Sequence, residues 1–122
     1  MCFLRIQAHS YSRNFEVSPE EVENAELMVE DAVSLVLIDL FEEAEVDKVL
    51  VLFSPLLPTG QRDCSIQIQA QCSFQSFTLF PRTKENIELS VGKFVCAILK
   101  ELFGPVTMDS VIITPSFTES FI

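Results

Sequence analysis

The chain has 122 residues and carries 18 acidic against 8 basic side chains, a formal net charge of −10. This length suits a single domain, and a hydrophobic fraction of 48% excludes wholesale disorder. The negative charge argues against direct binding to nucleic acid, because phosphate contacts require Lys and Arg. No catalytic or cofactor motif is evident, so function has to be argued from the class of protein.

The cysteines and the absence of a targeting pattern favour a cytoplasmic protein. The first residues lack the basic leader and apolar run of a secretory signal. No apolar stretch reaches the roughly 18 residues that a membrane span needs. Cys2, Cys64, Cys72 and Cys96 form no CxxC pair, which favours buried reduced thiols. Two disulfides in a secreted domain are the alternative. Only His9 could join the cysteines, so we expect no metal site.

The first half of the chain predicts a strand, a long helix and a second strand. Residues 2–8 alternate with a period of two. Ser18 is a good N-cap, Pro19 fits the first helical position, and Glu21 can close a capping box. We expect the helix to end near residues 44–46. Residues 48–53 form a continuous apolar run, typical of a central strand buried on both faces. The predicted buried helix face consists of Val22, Ala25, Val29, Ala32, Val33, Val36 and Leu40.

The second half predicts a strand, a helix and a last strand. Residues 64–74 alternate strictly, and a change of phase near residues 75–76 indicates a bulge or bend. Residues 81–89 are interpreted as a polar connection. A helix is expected from a Ser90 cap to Phe103, where Gly104 and Pro105 stop it. Residues 106–114 complete the set as a strand.

The predicted order β-α-β-β-α-β indicates a single α+β domain over residues 1–114, followed by a tail over residues 115–122. This order resembles the split βαβ, ferredoxin-like arrangement, which has an antiparallel-rich sheet with two helices packed on one face. The resemblance lies in element order alone and implies no function. The long first helix and long third strand leave a different α+β topology open. No internal repeat is visible in the sequence.

The charge is concentrated in one segment. Residues 14–47 contain 12 acidic residues and no Lys, Arg or His, which contributes −12, and the rest of the chain contributes +2. Glu23, Glu26 and Glu30 share one helix face and have no cation four residues away. A solvated face that keeps the protein soluble is one interpretation. A docking surface for a basic partner is the other. The candidate protein-binding residues are Glu20, Glu23, Glu26, Glu30, Asp31, Glu42 and Glu43.

Catalytic chemistry has little support in the sequence. The adjacent acidic pairs at residues 20–21 and 42–43 point in different directions on a helix, and His9 has no nearby nucleophile motif. Gly60, Gly92 and Gly104 are too scattered for a phosphate loop. We therefore expect no enzyme activity, no cofactor and no metal.

The leading hypothesis is a small cytoplasmic binding protein or inhibitor whose anionic helix docks on a basic protein. An immunity protein that neutralises a nuclease toxin, as in a toxin-antitoxin pair, would be one example. We expect a basic protein partner, of which a nuclease or another nucleic-acid-binding protein would be an example. We expect no direct contact of this chain with nucleic acid or membrane, and a homodimer is a further option. The alternatives are a structural or chaperone-like subunit, and a small ligand-binding domain or enzyme that uses Arg5, His9 and the row Gln67, Gln69 and Gln71.

Overall fold

Two strands that alternate apolar and polar residues form the centre of the sheet. The computed structural model describes residues 2–12, 18–41, 44–55, 57–72 and 81–117. Strand β1 spans Cys2–Ser12 and pairs antiparallel with β3, Arg62–Cys72. One side of both strands is fully buried and the other is not. The buried side consists of Leu4, Ile6, Ala8, Ser10, Ser12, Cys64, Ile66, Ile68, Ala70 and Cys72.

The remaining elements are helix α1 (Pro19–Phe41), strand β2 (Ala44–Phe53), helix α2 (Pro81–Phe103) and strand β4 (Thr107–Phe117). All neighbouring strands are antiparallel, and the sheet order is β2-β3-β1-β4. The two helices pack against each other and cover the buried side. The predicted α+β fold with two helices on one face is thereby confirmed, and the ferredoxin-like order of strands follows.

Several predicted boundaries are wrong. Strand β1 continues to Ser12, α1 stops at Phe41 and β3 begins at Arg62, two residues before the predicted start. The predicted end of β3 at residue 74 lies outside the described residues. Strand β4 runs three residues past the predicted end. The predicted bulge near residues 75–76 lies outside the described residues. On α1, Leu37 and Phe41 are buried, whereas Leu40 is substantially exposed.

Helix α2 begins nine residues before the predicted Ser90 cap. The supposed polar connection is its first two turns. Ile87 is fully buried there, and Glu88 contacts the sheet, so tertiary packing makes this polar segment helical.

Strand β2 lies at an edge of the sheet and not at its centre. Its apolar run predicted burial on both faces, but Val46 and Val51 are buried while Leu52 is exposed. The other edge is β4, where Pro115 pairs with Leu4. A proline, which has no N–H, is tolerated at such an edge.

The structure reveals an internal repeat that the sequence analysis missed. The two helices have the same length, and adding 62 to a residue number in α1 gives its counterpart in α2. Ten of the 23 helical positions are then identical. The identical pairs are Pro19 and Pro81, Glu23 and Glu85, Asn24 and Asn86, Glu26 and Glu88, Leu27 and Leu89, Val29 and Val91, Val33 and Val95, Leu37 and Leu99, Leu40 and Leu102, and Phe41 and Phe103.

The repeat extends into the edge strands. Both contain a β-bulge, at Asp47 in β2 and at the equivalent Asp109 in β4. The Val51 N–H donates to Oε2 of Glu26 at 3.0 Å, and the Ile113 N–H donates to Oε2 of Glu88 at 3.0 Å. Each edge strand therefore has one outward N–H satisfied by the glutamate of the helix beside it. Bulges and satisfied edge groups both hinder pairing with another strand.

Glu26→Ala and Glu88→Ala should each lower the free energy of unfolding by about 1 to 2 kcal/mol, because each leaves an edge N–H without its charged acceptor. Urea denaturation measures the effect. Glu23→Ala and Glu85→Ala, three residues earlier on the same helices, are matched controls that should change it by less than about 0.5 kcal/mol. Equal losses in all four variants would contradict the structural role of the two hydrogen bonds.

Candidate functional site

The acidic residues of α1 are positioned by a well-defined helix start. The Glu21 N–H donates to the Ser18 hydroxyl at 3.3 Å, and the Val22 N–H donates to the Ser18 carbonyl at 3.1 Å. Ser18 is thus the N-cap and Pro19 the first helical residue, as predicted. Acidic side chains in this first turn favour the positive end of the helix dipole.

A groove between α1 and β2 collects part of the acidic set. Glu23, Glu26 and Glu30 line it from the helix, and the bulged Asp47 lines it from the strand. The cavity has a volume of about 350 Å³, and Leu27, Lys48 and Val49 complete its lining. We call these seven residues the acidic groove. Its four carboxylates face a single lysine.

The four carboxylates differ in how they are held. Glu26 is half-buried and accepts the hydrogen bond from the Val51 N–H. Asp47 accepts a hydrogen bond from the Gln71 amide at 2.9 Å. Glu23 is exposed and Glu30 half-buried, and within the described part of the chain neither has a hydrogen bond or ion pair to a protein group. Glu23 and Glu30 are therefore the carboxylates available to an outside cation.

The other candidate residues lie elsewhere. Glu20 is exposed in the first turn of α1, and Asp31 is exposed one residue after Glu30, away from the cavity lining. Glu42 and Glu43 lie outside the described residues. Sequence reasoning missed Asp47 as part of the site, because its place in the groove lining depends on the bulge in β2. Its carboxylate also accepts the Gln71 hydrogen bond on the open side of the sheet. The Asp47–Asp109 repeat would have been the signal.

The repeat places an equivalent groove between α2 and β4. Glu85, Glu88, Leu89, Asp109 and Val111 correspond to lining residues of the acidic groove. Gly92 replaces Glu30, and a Cβ there would lie 3.3 Å from Cγ2 of Val111. This second groove is larger, about 760 Å³, and Lys93 and Lys100 line it as well. The second groove is lined by residues of both charges, whereas the acidic groove is lined by four carboxylates and one lysine.

The open side of the sheet gathers the residues of the ligand-binding alternative. Strand register places Arg5 beside Gln69 and Gln7 beside Gln67. A shallow cavity of about 570 Å³ includes Arg5, Gln7 and Gln69 in its lining.

His9 is held between two carboxylates on the same side of the sheet. Its Nδ1 lies 3.1 Å from Oδ2 of Asp109, and its Nε2 lies 3.9 Å from Oδ2 of Asp63. Both ring nitrogens are directed at acceptors. Among the described residues, neither nitrogen has a hydroxyl or thiol as its partner, which a general base for a nucleophile would require.

The comparisons with known proteins bear on the fold alone. No family model and no curated protein matches the chain. Among solved structures, a class II 3-hydroxy-3-methylglutaryl-CoA reductase from Streptococcus pneumoniae, bound to NADPH, is 10% identical with a TM-score of 0.54, over 92% of this chain and 28% of the reductase. The extracellular region of zebrafish Gpr126/Adgrg6 is 10% identical with a TM-score of 0.44, over 92% of this chain and 13% of the receptor region. The chain thus spans less than a third of either protein.

Two negative findings concern the described residues. No helix among them is both long enough and apolar enough to cross a membrane. In the same ranges, no group of three His, Cys, Asp or Glu side chains is arranged to hold a metal ion.

The Cys64 thiol is fully buried in β3, and Cys96 on α2 is a half-buried free thiol. Burial raises the pKa of Cys64 from 9.0 to about 11, and a hydrogen bond from Ser10 opposes part of this rise. Only a thiolate is nucleophilic, so the raised pKa should make Cys64 unreactive in the folded protein.

Iodoacetamide near neutral pH should label Cys96 well before Cys64, as measured by peptide mass spectrometry, with guanidinium-unfolded protein as the fully labelled control. The stabilisation that comes from the protonated Cys64 should be intact below pH 9.0 and be lost as the pH rises through about 11. Cys64→Ala should remove this alkaline loss. Rapid labelling of Cys64 in the folded state would contradict its burial.

Proposed function

We infer that this protein is a small binding protein whose acidic groove docks on a basic segment of a partner protein. The observation that carries the proposal is the convergence of Glu23, Glu26, Glu30 and Asp47 on one groove lined by the single cation Lys48. Two of these carboxylates are already fixed by internal hydrogen bonds, which orders the groove before a partner arrives. Preorganised groups bind with a smaller entropic cost.

The internal repeat supports this function by supplying a comparison within one molecule. Helices α1 and α2 share their length and their buried series of Val, Val, Leu and Phe, so the fold imposes the same demands on both. Helix α1 nevertheless has seven acidic residues and no cation, whereas α2 has three acidic and four basic residues. Solubility and folding are served by the balanced helix, and the one-sided charge of α1 therefore points to a partner.

A basic partner explains both the sign and the position of the charge. Carboxylates on a partly enclosed surface attract Lys and Arg side chains and accelerate encounter. A protein whose cationic surface serves to bind phosphate would lose that surface on docking here, because the carboxylates occupy the same positive groups. Inhibition of a nucleic-acid-binding protein, such as a nuclease toxin held by an immunity protein, is the form of the proposal that uses all of these features. The proposal assigns no catalytic step to the chain.

The double variant Glu23→Lys and Glu30→Lys should weaken binding of a fluorescent oligolysine peptide by at least about tenfold, because it replaces the two available carboxylates with like charges. Fluorescence anisotropy at low salt measures the dissociation constant. Raising the salt to about 0.5 M should weaken the wild-type complex, since screening then acts within a few ångströms. Glu26 is left unchanged because it also holds β2.

The matched control is Glu85→Lys with Glu101→Lys on α2, which changes the net charge by the same amount at exposed positions. This control should bind the peptide within about threefold of wild type, apart from the weak effect of net charge. Equal losses in both double variants would show that only net charge matters and would contradict a specific groove. Failure of the wild type to bind at low salt would contradict the proposal as a whole.

A further inference from the structure

The outer surface of the helix layer carries two exposed stripes of opposite charge. Along α1, a stripe is formed by Leu27, Asp31, Leu35 and Ile38, spaced four, eight and eleven residues from the first. Along α2, the equivalent positions are Leu89, Lys93, Ala97 and Lys100. We call these the α1 stripe and the α2 stripe. All eight residues are exposed.

Both stripes expose large aliphatic side chains. Leu27 is 60% exposed, Leu35 70%, Ile38 49% and Leu89 64%. Helical spacing places them away from the buried series, which packs on the sheet, and Leu27 and Leu89 also line the two grooves. Adjoining exposed apolar residues with polar groups at the rim are typical of protein interaction sites.

The charges at the centres of the stripes are complementary. Asp31 and Lys93 occupy equivalent positions in the two halves of the repeat, yet one is acidic and the other basic. The α1 stripe continues with aliphatic Ile38, where the α2 stripe has Lys100. The surface that would complement the α1 stripe is therefore present on the same chain.

We propose that two copies of this chain associate through their helix layers, with the α1 stripe of each copy packed on the α2 stripe of the other. Helices α1 and α2 run antiparallel, because each follows one of the antiparallel strands β1 and β3. A two-fold axis parallel to the helices places α1 of one copy antiparallel on α2 of the second. This arrangement closes the dimer and uses each stripe once.

The antiparallel arrangement fixes a register. When Asp31 lies opposite Lys93 of the second copy, Leu35 lies opposite Leu89 of that copy and Leu27 lies opposite its Ala97, because the two helices run in opposite directions. The ion pair sets the alignment and disfavours α1 on α1, where Asp31 would meet an identical carboxylate. The apolar contacts supply the attraction, since a net charge of −10 on each copy opposes association.

The dimer leaves the carboxylates of the acidic groove accessible. Glu23 and Glu30 lie outside the α1 stripe and face β2. Leu27 belongs to both the α1 stripe and the lining of the acidic groove, but the carboxylates that would bind a basic partner lie outside the stripe. The inference does not rest on the proposed function. A dimer would present two acidic grooves, one on each side.

A charge exchange in the full chain tests the interface. Sedimentation velocity and light scattering should give the wild type about twice the monomer mass of 13.8 kDa at physiological salt. Asp31→Lys alone and Lys93→Asp alone should each reduce the mass to that of the monomer, because like charges then face each other at both contacts between an α1 stripe and an α2 stripe. The two changes together should restore the dimer. Circular dichroism establishes that each variant is folded.

Leu35→Lys tests the apolar contribution and should also give a monomer. Glu101→Lys, exposed on α2 but outside its stripe, is the matched control and should remain dimeric. A monomeric wild type would overturn the inference, as would a dimer that persists in Asp31→Lys and Leu35→Lys, or a double exchange that fails to restore association. The variant Glu23→Lys with Glu30→Lys should lose oligolysine binding and keep its dimer mass, which separates this result from the proposed function.

Discussion

The packing of two matching helix faces on one side of the sheet is the interaction on which the rest of the structure depends. Val29, Val33 and Leu37 on α1, and their counterparts on α2, are completely buried against the inner side chains of β1 and β3. A four-stranded sheet alone buries too little apolar surface on one side to be stable, so the helices are required. The same series therefore forms the core in both halves, although buried Ala25 on α1 corresponds to the larger Ile87 on α2.

The edges of the sheet connect this core to the candidate site. Edge strands expose backbone groups that invite pairing with other chains. Here a bulge and a glutamate from the neighbouring helix occupy each edge, at Asp47 and Glu26 on one side and at Asp109 and Glu88 on the other. The bulged aspartates and the glutamates that protect the edges also line the two grooves. Glu26 and Asp47 thus supply two carboxylates of the acidic groove, and Glu23 and Glu30 on α1 supply the other two.

Periodicity was sufficient to predict the class of fold, because alternation in β1 and β3 and helical spacing in α1 are strong local signals. It failed where tertiary contacts decide. The first two turns of α2 are polar, and the burial of Ile87 and the contact of Glu88 with β4 stabilise them as helix. The apolar run of β2 suggested a central strand, but position in a sheet is set by topology, which a single segment does not encode. The clustering of Glu23, Glu26 and Glu30 followed from helix geometry, whereas Asp47 could be placed only once the bulge was known.

The repeat separates what the fold requires from what the surface adds. Most buried helix positions are the same in both halves, as with Val33 and Val95, and so are the glutamates that hold the edge strands, Glu26 and Glu88. Ala25 is an exception, because Ile87 corresponds to it. Positions outside the core vary more, since Glu30 is replaced by Gly92 and Asp31 by Lys93, although Glu23 recurs as Glu85. The charged residues of α1 are all acidic, whereas those of α2 are of both signs. An acidic α1 beside a balanced α2 gives the helix layer two unlike surfaces, and unlike surfaces on one chain can bind each other or a third protein with a defined orientation.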